Sequence, residues 1–217
     1  MNSKICCITL DLEPDCGGRV LKFDTLKKID NAKTLLQTYN LPLTIFTTGA
    51  VFDYSPATID SLATLSETEF ALHSYSHNTK NPIFQNEIDK GIEAYFRFFN
   101  FHPRGYRAPQ GKISSSDLQV LEKYGFLYDS SFIPSPRTPK NLINRKYGIF
   151  KLQNQNLYEV PITRLGKAPL PLGLSYLRFL GPKLTKIILR QIDLPNTVVF
   201  YFHIHDLVRT ENIKTLP

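Results

Sequence analysis

The chain contains no tryptophan, one methionine and three cysteines. Cys6, Cys7 and Cys16 are odd in number and bunched near one end, so they make no disulfide framework of the kind that staples small secreted domains. No Cys-x-x-Cys pair occurs, which excludes a cysteine-based structural zinc site and a thioredoxin-type redox motif. No stretch approaches the roughly twenty apolar residues that span a bilayer. The apolar run before Asp11 covers only about eight residues and lacks the small-residue cleavage site of a secretory signal. A cytoplasmic, reducing location is the expectation that follows. Repeats and low-complexity tracts are also missing, which excludes solenoids and disordered linkers. Lys and Arg exceed Asp and Glu by 26 to 19, a net +7. That mild excess suits phosphates, acidic glycans or a membrane surface, and no nucleic-acid partner is expected.

What the chain does have is an ordinary globular balance: 217 residues, 42% hydrophobic and 21% charged. That suffices for one sizeable core and is short for two domains. Strand-like and helix-like segments alternate. Apolar runs at 5–10, 43–48, 69–74, 105–108, 127–131, 158–162 and 198–205 read as strands, with Cys6 and Cys7 as buried thiols in the first. Helical spacing appears at 25–39, 56–65, 83–99 and 116–124, the last capped by Ser114 or Ser115 and stopped by Gly125. A basic amphipathic helix is expected over 176–190, interrupted by Gly181-Pro182, and an irregular excursion over about 134–156. Alternation of this kind implies parallel pairing, and seven such units imply a barrel rather than an open sheet.

In a parallel barrel the C-terminal strand ends gather around one mouth, where active sites form. The polar residues of this chain sit at those ends. His73-Ser74-Tyr75-Ser76-His77 places two of the five histidines four apart after a strand, so both face one metal if the segment turns helically. Glu13 or Asp15 would complete a two-imidazole, one-carboxylate set suited to zinc, iron, cobalt or manganese. Asp11, two residues before Glu13, points to the same side and would take a proton from water. His203 and His205, two apart on a strand, share a face, so that one is available as an acid while the other orients it or a carboxylate such as Asp206.

Five ordered segments carry a resemblance. Thr9-Leu10-Asp11-Leu12-Glu13, His73-Ser74-Tyr75-Ser76-His77, Tyr106-Arg107-Ala108-Pro109-Gln110-Gly111, Tyr128-Asp129-Ser130-Ser131 and Phe202-His203-Ile204-His205-Asp206 resemble the five motifs of the polysaccharide deacetylase (NodB-homology) family of carbohydrate esterases. The stretch Leu43-Thr44-Ile45-Phe46-Thr47-Thr48-Gly49 is similar to the strand that precedes the family's histidine pair. The segments Tyr158-Glu159-Val160-Pro161, Pro171-Leu172-Gly173 and Tyr176-Leu177-Arg178 further resemble a subgroup associated with exopolysaccharide and lipid-linked glycans.

The resemblance implies a single-domain α/β fold, a distorted (β/α)7 TIM-like barrel, and hydrolysis of N-acetyl groups on amino sugars of a polysaccharide, oligosaccharide or lipid-linked glycan. It implies one divalent metal ion, zinc first, with iron, cobalt, nickel or manganese as alternatives. Glu13, His73 and His77 become the ligands, Asp11 the general base and Arg107 its cationic partner. His203 becomes the general acid, oriented by Asp129. Gln110 supplies a backbone oxyanion donor, with Tyr75 and His205 on the substrate side. Three positions depart from the pattern. Leu12 replaces an acid and cannot bind metal, Gln110 replaces a tyrosine, and both His203 and His205 fit the last motif. Two alternative functions follow: hydrolysis of a non-sugar cyclic amide, and a degenerate scaffold that only binds glycan. The 174–190 stretch, basic and amphipathic, is a candidate for peripheral membrane contact or for an ordinary helix on the outside of the barrel.

Overall fold

A computed structural model describes residues 4–15, 21–79, 84–133, 148–153, 155–165 and 170–207. The core strands are β1 (Ile5–Leu12), β2 (Leu43–Thr47), β3 (Thr68–Leu72), β4 (Gly105–Tyr106), β5 (Tyr128–Asp129), β6 (Phe150–Lys151), β7 (Tyr158–Glu159) and β8 (Thr197–His203). They form one curled sheet in the order β6-β7-β5-β4-β3-β2-β1-β8. All neighbours pair in parallel except β6, which runs antiparallel to β7. Seven parallel strands match the expected barrel; the eighth is an added antiparallel edge.

The ladder does not close continuously. Thr163, just beyond β7, donates its N–H to Val199 O at 3.0 Å and accepts the Val199 N–H on Oγ1 at 2.8 Å. Gly173 bridges Tyr201 in parallel. These bonds tie the β7 side to β8 and give the barrel its distorted seam.

The helices are α1 (Ile29–Tyr39), α2 (Gly49–Tyr54), α3 (Pro56–Ala63), α4 (Phe84–Phe99), α5 (Ser115–Lys123), α6 (Leu174–Gln191) and α7 (Ile204–Leu207). Helix α4 earns its place by periodicity. Ile88, Ile92 and Tyr95 recur on one face and are buried, while Glu93 and Arg97 pair on the other. Tyr95 also donates its hydroxyl to Phe70 O in β3 at 2.9 Å, satisfying the one polar atom its burial would strand. Helix α5 starts as the sequence predicts. Ser114 accepts from Asp117 N at 3.2 Å and Asp117 returns a bond from Ser114 N at 2.9 Å, a reciprocal cap.

Two expectations fail. Cys6 is exposed and Cys7 only half-buried. β1 pairs with β8 from Ile5 onward but with β2 only from Ile8, so its first residues have a neighbour on one side alone. His205 is not on the last strand: β8 ends at His203, where Asp206 Oδ2 accepts the His203 N–H at 2.9 Å and starts the α7 turn. Most of the expected irregular excursion, 134–147, lies outside the described residues.

Candidate active site

Four of the sequence-selected residues meet at β1, β3 and β4. Asp11 and Glu13 sit at the end of β1, His73 directly follows β3 and Arg107 directly follows β4. All are buried. His203 ends β8 and is the direct cross-strand partner of Asp11.

Glu13 Oε2 lies 2.7 Å from His77 Nε2 and 3.5 Å from His73 Nε2. One ligand atom from each of the three falls within 4.8 Å of the others. Despite the short approach to His77, the alignment leaves Glu13 Oε2 without a hydrogen-bond donor in a fully buried position. Such an orphan acceptor is costly unless a cation meets it. His73 Nδ1 donates to Arg107 O at 2.6 Å, which turns the Nε2 lone pair toward Glu13. The residues therefore fit a divalent cation.

The histidine-bearing turn is not helical, as the spacing suggested. Ser74 and His77 adopt left-handed backbone, with φ of 65° and 59°. What holds that turn was invisible in the sequence. The Glu87 carboxylate, in the first turn of α4, accepts from Ser74 Oγ at 2.5 Å, Tyr75 N at 3.1 Å, Ser76 N at 2.8 Å and Ser76 Oγ at 2.8 Å. Tyr75 sends its hydroxyl to Asp53 in α2 at 2.9 Å, a neighbour of Arg97. Burial and that carboxylate push its phenol up to about 12. Its bond clamps the turn to α2 and α4 rather than reaching toward the histidine pair.

Asp15, the rival ligand, is turned elsewhere. Its carboxylate accepts from Asp24 N at 2.7 Å, Thr25 N at 3.1 Å and the Thr25 hydroxyl. Leu12, where the family pattern has an acid, is fully buried in the core.

Arg107 is completely buried. Its Nη1 donates to Asp11 Oδ1 at 2.6 Å and Thr9 Oγ1 at 3.0 Å, Nε to Ser130 O at 3.1 Å and Nη2 to Ser130 Oγ at 2.9 Å. Its guanidinium carbon stands 3.9 Å from the Phe46 ring centre. Four of its five N–H donors are thereby placed, and the Asp11 carboxylate offsets the buried charge.

His203 Nε2 faces Asp11 Oδ2 at 3.9 Å, and its Nδ1 faces Asp206 Oδ2 at 3.6 Å. Burial disfavours the imidazolium, yet Asp206, Glu13 and Asp11 outweigh it and raise the pKa to about 9. Asp206 is depressed to about 2: burial pushes it up, and bonds from His203 and Ser175 pull it further down. The His205 ring stacks on His203 with centres 4.7 Å apart, and burial followed by the His203 charge lowers its pKa.

Asp129 does not reach His203. Its carboxylate accepts from Ser131 Oγ at 2.5 Å and Ser131 N at 3.2 Å, and it faces Glu159, its partner across β5 and β7. Burial raises both carboxyls, and repulsion from Asp129 lifts Glu159 well above the ordinary range. The carboxylate beside the His203 ring is Asp206, 3.6 Å from Nδ1, which also accepts the His203 backbone N–H. Gln110 is exposed and left-handed (φ 56°), beside Gly111 (φ 64°), in a 3-10 turn after β4. A Cβ at Gly111 would press on Ser131 O, so the turn is packed down against the β5 end.

The polysaccharide deacetylase family model matches residues 11–128, more than half of the chain, and the chain belongs to that family. Among solved structures it is similar to a Mycobacterium smegmatis protein assigned as a polysaccharide deacetylase, at 19% identity and TM-score 0.63, covering 93% of this chain and 78% of that one. It is similar to a family 4 carbohydrate esterase from Streptomyces lividans in complex with acetate, at 15% and 0.57, covering 95% and 84%. It also resembles a family 4 pseudoenzyme from Bacillus anthracis, at 11% and 0.54, covering 94% of this chain and 57% of the other. At these identities the likenesses show the fold. No curated protein matches the chain in sequence.

Proposed function

We propose that the chain is a metal-dependent hydrolase that removes acetyl groups from N-acetylated amino sugars in a glycan. One observation carries this reading: Glu13, His73 and His77 converge within 4.8 Å, beside a carboxylate held by a buried arginine and an imidazole biased toward its protonated form. A divalent ion on Glu13, His73 and His77 would supply Lewis-acid activation of water and of the amide carbonyl.

The chain's own groups then move the protons. Asp11, oriented by Arg107 Nη1, accepts the proton of the attacking water. His203, protonated near neutrality, faces Asp11 across the site and donates to the departing nitrogen, which would otherwise leave as an amide anion. Asp206, 3.6 Å from the other His203 ring nitrogen, supports its positive charge. The Gln110 N–H, presented by its left-handed turn, is our candidate donor to the oxyanion.

The test is acetate release from N-acetylhexosamine oligomers by protein loaded with zinc, manganese, cobalt, nickel or iron, beside small cyclic amides. Metal-dependent acetate release supports the reading. Turnover of cyclic amides alone would reassign the substrate, and stoichiometric metal with no turnover of either would leave a binding protein.

A further inference from the structure

Helix α6 has the wrong surface for a helix that only covers a barrel. None of its residues is fully buried. Leu177, Leu180, Ile188, Leu189 and Ile192 turn inward onto Leu165, Leu172 and Val198. On the other side Phe179 is 91% exposed, Ile187 52% and Leu184 45%. Lys183, Lys186, Ile187 and Arg190 fall within one arc at 100° per residue, opposite Ile188, Leu189 and Ile192. The helix carries four cations and no acid. Among the described residues, Lys183, Lys186 and Arg190 have no hydrogen-bond or ion-pair partner. The chain breaks at Gly181 (φ 74°), two residues after Phe179, so that aromatic stands at a corner.

Exposed apolar side chains interleaved with unpartnered cations match a surface that is apolar within and anionic at its face. A lysine stem can lie along apolar contacts while its ammonium stays at the phosphate level. No helix of the described residues is long and apolar enough to cross a membrane, so the contact would be peripheral.

The face is also coupled to the mouth of the barrel. Ser175 Oγ donates to Asp206 Oδ1 at 2.5 Å, and Arg178 Nη1 donates to Asp206 O at 2.7 Å. Asp206 is the carboxylate against His203. The first turn of α6 therefore borders the general acid.

We infer that α6 docks on an anionic lipid bilayer, and that the glycan is presented to the site from that bilayer, carried on a lipid. The second half of this inference rests on the deacetylase reading; the first does not. Cosedimentation of the full chain with vesicles of phosphatidylcholine, alone or mixed with phosphatidylglycerol, tests the docking. The wild type is expected to pellet with the anionic vesicles, weakly with the neutral ones, and less as salt rises. A Phe179→Ser, Lys183→Glu, Lys186→Glu variant should lose at least about tenfold in partition. Its melting temperature and its acetate release from a soluble oligomer should be unchanged, since none of the three residues touches the site. Wild-type protein left in the supernatant with both vesicles would overturn the docking, as would a variant that pellets like the wild type. A dimer in light scattering that the variant converts to monomer would mean a second copy covers the face. Vesicle binding without acetate release from any glycan would keep the docking and reject lipid-linked presentation.

Discussion

At the scale of single residues, the site is a set of charges that keep one another in working form. In the proposed mechanism Asp11 is the base, with Arg107 on its Oδ1, and Thr9, Ser130 and Phe46 line the rest of the buried guanidinium. Asp11→Asn keeps the hydrogen-bonding shape and removes the proton acceptor; His203→Ala removes the donor. Each is expected to lower turnover by about a hundredfold to ten-thousandfold while metal stays bound, checked by acetate release beside elemental analysis. Near-normal turnover in either would take that residue out of the mechanism. Glu87 acts one step further back. Replacing it by Ala frees four donors of the histidine turn, and metal affinity should fall about tenfold to a hundredfold by chelator competition. Equal affinity would leave Glu87 with no part in the metal site. The His203–Asp206 pair also sets a pH window. Asp206 has a depressed pKa, so its contribution to stability is complete above the ordinary 3.8 and is lost as pH falls through about 2. His203 has a raised pKa, so its contribution is complete below the ordinary 6.5 and is lost as pH rises through about 9. In the metal-free protein a histidine titrating near 9 by NMR, absent from His203→Ala, would verify this; only histidines near 6.5 would refute it.

At the scale of elements, long periodic segments were readable and short ones were not. The face of α4 and the cap of α5 follow from side-chain spacing and from Ser114 with Asp117, which are local signals. The two-residue strands β4, β5, β6 and β7 carry no period, so their extents were overread and β6 was missed. Helix α2 was missed because it opens on Gly49, which reads as a stop. The glycine is there because the Tyr75 ring and the Gly91 backbone press on the spot where a Cβ would go. Gly91 has the matching role in α4. A side chain there would meet the Leu72 methyls at 3.0 and 3.1 Å and Ser74 O at 3.4 Å. Gly91→Val should therefore push α4 off the turn it organises, costing about 1–3 kcal/mol in denaturant unfolding and weakening metal binding with it. Unchanged metal affinity in a destabilised variant would separate packing from ligand placement.

At the scale of the whole molecule, the mouth was legible because a parallel barrel sends every strand's C-terminal end to one side. Asp11, His73, Arg107 and His203, distant in sequence, could be grouped before any coordinates. Two of the partners around them could not. Glu87 behind the turn depends on how α4 packs, and Glu159 beside Asp129 on which strand neighbours which; Asp206, three residues past His203, was within reach of the sequence. The same topology makes a cation a cross-brace. Glu13 follows β1 and the histidines follow β3, with β2 between them, so a bound ion joins segments that are not hydrogen-bonded neighbours. An ion that binds only the folded chain stabilises it by about 2.7 kcal/mol at a hundred times its Kd. For a chain of this size that corresponds to roughly 5–10 °C in melting temperature. Zinc is therefore expected to raise Tm by that amount, a chelator to reverse it, and His77→Ala to abolish the response without lowering the metal-free Tm to the same degree. A Tm indifferent to every divalent ion in the wild type would show that these three side chains, close as they are, do not form a metal site.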